Sequence, residues 1–163
     1  MNVEEFNSSA ERQILVGMIV NPTVLGRISS KWERDSFTSK YANMIASWCV
    51  KHYQDYGKAP GKGILHHFQS WADRAHRDEG LVRLIEGFLS SLSDEYQLNG
   101  EINPDHLLDV ASAQFNRNRI KRVASLAISH EQAGEVEKAM ECMHSYSKLE
   151  LGSTACIDPF LHE

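Results

Sequence analysis

Residues 103–149 read NPDHLLDVASAQFNRNRIKRVASLAISHEQAGEVEKAMECMHSYSKL, and this stretch decides the fold. Asn103 is a helix N-cap, and Pro104 suits the first helical position, where its missing N–H costs nothing. No glycine or proline then interrupts the chain until Gly134. A helix from Pro104 to about His130 would run roughly 40 Å at 1.5 Å per residue. A bundle made from the preceding ~100 residues has a radius of gyration of only about 13 Å, so such a helix is expected to protrude. The turn at Gln132 to Gly134 reverses the chain. Glu135 to Leu149 is predicted to return as a second helix with Val136, Ala139, Met140, Met143 and Tyr146 on its apolar side. So short a connection makes the two helices antiparallel neighbours, an αα-hairpin.

The long helix carries two apolar faces. At 100° per residue, Leu107, Leu108, Val110, Ala111 and Phe115 gather on one side. Ile120, Val123, Ala124, Ala127 and Ile128 gather on nearly the opposite side. The first half is therefore expected to meet one partner surface and the second half another.

Upstream, every segment with a clear period is helical. Ser8 and Glu11 are spaced as a capping box ahead of Ile14, Leu15, Met18 and Ile19. Asn21-Pro22 ends that helix and starts a short one with Val24, Leu25 and Ile28. A loop spans Trp32 to Phe37. Tyr41 to Tyr56 then presents Met44, Ile45, Trp48, Cys49, His52 and Tyr53 as its apolar stripe, closed by Gly57. Ile64, Leu65, Phe68, Trp71 and Ala72 mark another short helix. The polar stretch Asp73 to Gly80 leads to a helix with Leu81, Leu84, Ile85, Phe88, Leu89 and Leu92. No segment alternates with period two, so no sheet is expected. The predicted class is all-α: a globular helical bundle over residues 1–100, a protruding antiparallel hairpin over 101–150, and a linker-like tail over 151–163.

Composition agrees with a folded chain. Of 163 residues, 42% are hydrophobic and 24% charged, enough to build a core and too little charge for disorder. The excess of 22 acidic over 17 basic side chains, net −5, argues against a protein that coats DNA by neutralising phosphates. There is no apolar run of membrane-spanning length and no signal-peptide pattern at the start, so no membrane partner is expected. Cys49, Cys142 and Cys156 form an odd set without CxxC spacing, which fits a reducing cytoplasm.

Residues that invite chemistry fall short of it. Gly57 to Gly63 (GKAPGKG) imitates a phosphate loop, but it is one residue short and Gly63 replaces the hydroxyl that would hold magnesium. His66 and His67 are adjacent and point about 100° apart on a helix, so they cannot share a metal as i, i+4 histidines do. No catalytic or metal residue, and no cofactor, is assigned; without a Walker A sequence this chain is not expected to be an enzyme. Asn116 to Arg122 holds Arg117, Arg119, Lys121 and Arg122 with no acid, a candidate nucleic-acid contact. The simpler reading is a solvated face, or pairing of these cations with acids such as Glu135, Glu137 and Glu141.

The order of these elements resembles the N-terminal domain of DnaB-type replicative DNA helicases, especially phage or mobile-element versions. The resembling stretches are Ala10 to Leu15 leading into Val20-Asn21-Pro22, then Asp35-Ser36-Phe37, then Tyr53 to Pro60, the long hairpin, and Ile157-Asp158-Pro159-Phe160. It covers nearly the whole chain and rests on order and spacing. The resemblance implies a non-catalytic collar domain whose hairpins pair between subunits and which docks primase or a helicase loader. It implies a linker and a RecA-like ATPase motor beyond it. The paired-hairpin role would fall on Ile120, Val123, Ala127, Val136, Met140 and Met143. The chain departs from the bacterial pattern at Lys62-Gly63 and across Asp73 to Gly80, where a docking partner would be chosen. Two other readings stand beside it: the helicase-binding domain of a primase, which is similarly built but monomeric, and a small helical nucleic-acid-binding module. In the leading reading the chain partners itself, as dimer or hexamer, and meets DNA only indirectly or weakly.

Overall fold

The computed structural model describes residues 9–74, 78–99 and 102–151. Among them the architecture is all-helical. The helices are α1 (Ser9–Val20), α2 (Pro22–Ser29), α3 (Lys40–Tyr56), α4 (Ile64–Arg74), α5 (Glu79–Asn99), α6 (Pro104–Gln132) and α7 (Val136–His144), with a 3₁₀ turn at Gly61–Gly63 ahead of α4.

The ends of these helices follow local chemistry. The Asn21 side chain accepts from the amides of Thr23 (3.0 Å) and Val24 (3.1 Å), so Asn21 alone separates α1 from α2. Ser39 caps α3 in the same way. Gly57 closes α3 at φ 69, a left-handed conformation that only glycine adopts without strain. Asn103 caps α6 through the His106 amide. The Ser8 half of the expected capping box lies outside the described residues.

α1 sits at the centre. Ile14 to Ile19 are all buried, because α2, α3, α5 and α6 surround this part of the helix. The period of α1 predicts a single apolar stripe; packing encloses every residue from Ile14 to Ile19. α3 differs in a second way. Its buried positions are Ala42, Ile45, Ala46, Cys49 and Val50, whereas Met44, Trp48, His52 and Tyr53 are only half-buried. The small alanines take the enclosed side, and the rings flank it toward α4, where Trp48 meets Trp71 at 5.9 Å.

The first half of α6 belongs to the same core. Leu107, Leu108, Ala111 and Phe115 pack with the buried residues of α1 to α5, and Phe37 meets Phe115 edge-on at 5.1 Å. The expected boundary at residues 100/101 is thus not a boundary of the core, which runs through to Phe115. From residue 119 to 148 the chain adds nothing to that core.

α7 lies against α6 and runs back along it. Glu135 stands beside His130, Cys142 Sγ approaches the Val123 carbonyl at 3.6 Å, and Leu149 meets Asn116. The return helix is shorter than expected, ending at His144 and not at Leu149. Asn116 explains why. Its side chain accepts from the Leu149 amide and donates to the Leu149 carbonyl, both at 2.8 Å, as a neighbouring strand would. Ser112 Oγ accepts from the Leu151 amide at 3.0 Å. The chain beyond α7 is held extended along α6, and Leu149 and Leu151 are buried. Leu151, expected to begin the tail, is therefore a core residue. The rest of that tail, 152–163, lies outside the described residues.

Candidate interaction surface

The second half of α6 exposes large apolar side chains that nothing in the bundle covers. Ile120 is 53% exposed, Leu126 53% and Ile128 56%; on α7, Val136 is 54%, Met140 52% and Met143 66% exposed. Monomeric domains rarely leave such side chains contiguous, because each keeps apolar area in water. Only the two alanines at the helix–helix contact, Ala127 and Ala139, are buried along these segments. Their small size lets the helices approach while the longer side chains splay outward.

Three of those side chains, Ile120, Ile128 and Met143, join Val123, Ala124, Ala127 and Tyr146 around a shallow groove of about 410 Å³. Four of the six residues assigned from sequence thus meet in one place: Ile120, Val123, Ala127 and Met143. Val136 and Met140 are exposed on α7 without lining the groove. Sequence reading missed Leu126, although its i+3 spacing from Val123 was the available signal.

The basic run does not act as one unit. Arg117 and Lys121 are exposed. Arg119 Nε and Arg122 Nη2 instead share the Glu33 carboxylate at 3.6 and 3.7 Å. Arg122 also donates to the Asp35 backbone carbonyl, and Arg119 to Ser147 Oγ at 3.4 Å. The acids expected to balance these cations lie elsewhere. Glu135 is engaged by Lys138 at 2.7 Å and His130 at 3.1 Å, and the Lys138 hydrogen bond, then that of His130, holds its carboxyl below the usual range. The true balancing acid, Glu33, sits in the loop between α2 and α3. No spacing rule reaches it, since Glu33 is 86 residues along the chain from Arg119 and 89 from Arg122.

A polar contact holds α6 where the core ends. Glu11 is buried, and its carboxylate accepts from the Thr38 amide (3.0 Å), Thr38 Oγ1 (2.9 Å) and Asn118 Nδ2 (2.8 Å). Asn118 also donates to the Ser36 carbonyl at 2.8 Å. These bonds fix the rotation of α6 between its two apolar faces, and so aim the groove.

The remaining reactive side chains have structural surroundings. Cys49 is fully enclosed, and burial pushes its thiol far above the ordinary value, which makes it inert. Gly57 and Gly61 adopt positive φ in the turn between α3 and α4. His67 does not pair with His66 but with His52 of α3, Nδ1 to Nε2 at 3.0 Å. Among the described residues no group of three or more His, Cys, Asp or Glu could hold a metal ion, and no helix is long and apolar enough to cross a membrane. No family model, characterised protein or solved structure matches the chain.

Proposed function

We propose that this chain is a non-catalytic assembly domain that self-associates through the apolar groove of α6 and α7, serving as the N-terminal collar of a DnaB-type replicative helicase and docking primase or a loader. One observation carries the reading: Ile120, Ile128, Val136, Met140 and Met143 are more than half exposed on one helix pair outside the core. Covering such a side chain contributes about 1.5–3 kcal/mol before the costs of association, so a handful can hold two copies together. The order of elements, which resembles that of the helicase collar, is what favours this assembly over others.

Light scattering coupled to size exclusion, over a range of concentrations, tests this. The expected result is a dimer or a larger closed assembly that Val123→Asp with Met140→Asp returns to monomer. An assembly unchanged by both substitutions would remove the groove from the interface. A strict monomer at every concentration would defeat the collar reading in favour of a primase-type helicase-binding domain.

A further inference from the structure

We propose that the His52–His67 contact is a proton-sensitive clamp that holds α4 against α3, closed with no proton or one added to the pair and opened by the second. The two rings meet at 5.2 Å between centroids, nearly perpendicular, with Nδ1 of His52 3.0 Å from Nε2 of His67. A nitrogen–nitrogen hydrogen bond needs one N–H and one bare nitrogen. Neutral imidazoles satisfy that through their tautomers. A single proton keeps it, because the cation donates to its neutral partner and the bond strengthens. A second proton turns both nitrogens into donors and places two positive charges face to face, so the contact must separate.

The surroundings sharpen this response. His67 has its pKa lowered first by burial, then by His52, His66 and Lys51, against which Asp55 alone pulls upward. Asp55 is already engaged by Lys51 at 3.3 Å. Tyr56 lies tilted against the His52 ring at 4.7 Å, and Gly63 of the 3₁₀ turn faces that ring. A folded pKa below the ordinary 6.5 means the unfolded or opened state binds the proton better. The clamp therefore holds at pH 6.5 and above, survives the first proton, and is lost as pH falls through the lowered His67 value.

Release of α4 would be felt beyond the pair. Ile64 and Leu65 of α4 form one wall of an apolar groove of about 320 Å³, whose other walls include Val16 and Ile19 of α1 and Leu89 and Leu92 of α5. A shift of α4 away from α3 reshapes that groove, so proton uptake is coupled to a second surface of the domain.

Trp48 on α3 and Trp71 on α4 provide a built-in reporter of the separation. The experiment follows near-UV circular dichroism and tryptophan emission from pH 8 to 5 in a Trp32→Phe background, with far-UV circular dichroism alongside. The expected result is a reversible tryptophan transition with its midpoint below pH 6.5 and an unchanged helical signal. His67→Gln keeps a neutral hydrogen-bonding side chain but takes no proton, and should lose the transition; His52→Gln should do the same and serves if the first variant folds poorly. A transition that persists in both variants, a signal that stays flat while imidazole resonances show both rings charged, or loss of helix in step with the tryptophan change would each overturn the clamp.

Discussion

Asn118 Nδ2 lies 2.8 Å from Glu11 Oε2, a hydrogen bond across 107 residues that joins the middle of α6 to the first turn of α1. Both side chains are buried, Asn118 at 5% and Glu11 at 3% exposure. A buried carboxylate needs donors because water cannot reach it. Asn118→Ala would leave Glu11 with fewer donors and strand the Ser36 carbonyl, which Asn118 also serves. The expected loss is about 1.5–3 kcal/mol, typical of a hydrogen bond to a charged group. Urea unfolding monitored by circular dichroism reads it as a lower midpoint with the same slope. An unchanged midpoint would mean that another donor replaces Asn118.

Gly17 sets how closely α1 and α6 approach. A Cβ added there would run into Leu107 Cδ2, with Val24 Cγ1 3.4 Å away. Leu107 is itself buried, so its side chain has little room to turn aside. Gly17→Ala is therefore expected to destabilise by about 1–3 kcal/mol, the cost of overpacking a filled core, despite alanine's better helix propensity. A stabilised variant in the same urea assay would show that Leu107 finds another rotamer freely.

The elements were legible because their signals are local. Asn21-Pro22 and Asn103-Pro104 mark helix ends through a capping side chain and Gly57 through its backbone, all within a few residues, and the structure places ends there. The two apolar sets on α6 were likewise readable from period alone. What sequence could not show depends on distant partners. Glu11 looked like a capping residue, yet Thr38 and Asn118 bury its carboxylate. Asn116 gave no sign that it would stand in for a strand and end α7 early at His144. His66 and His67 are read as adjacent rings that cannot share a metal, and only the packing of α3 on α4 brings His52 to His67.

Glu33 divides the basic run of α6 into held and free cations. Arg119 and Arg122 share its carboxylate, which is itself 48% exposed. An exposed pair of this kind is worth at most about 1 kcal/mol, so Glu33→Gln should leave the fold nearly as stable. Its effect should instead be on the field around the helix. The variant is expected to bind a labelled single-stranded oligonucleotide more tightly than the parent at low salt, with the gain erased as salt rises. Fluorescence anisotropy measures this. Equal binding by parent and variant would mean that the four cations do not form a nucleic-acid surface even when released.

Phe115 and Ile120 are five residues apart on α6 and face opposite tasks. Phe115 is 1% exposed and stacks edge-on with Phe37, whereas Ile120 is 53% exposed on the groove. Phe115→Ala removes a ring from a filled site and should cost about 3–5 kcal/mol, through both lost burial and the cavity left behind. Ile120→Gln removes apolar area that the monomer leaves mostly exposed, and glutamine is a good helix former, so stability should stay within about 0.5 kcal/mol of the parent. If the groove is where copies meet, association should respond in the opposite order. Ile120→Gln would weaken the assembly seen by sedimentation velocity, while a folded population of Phe115→Ala would associate as the parent does. Loss of association in both, in proportion to lost stability, would tie assembly to the core and not to the groove.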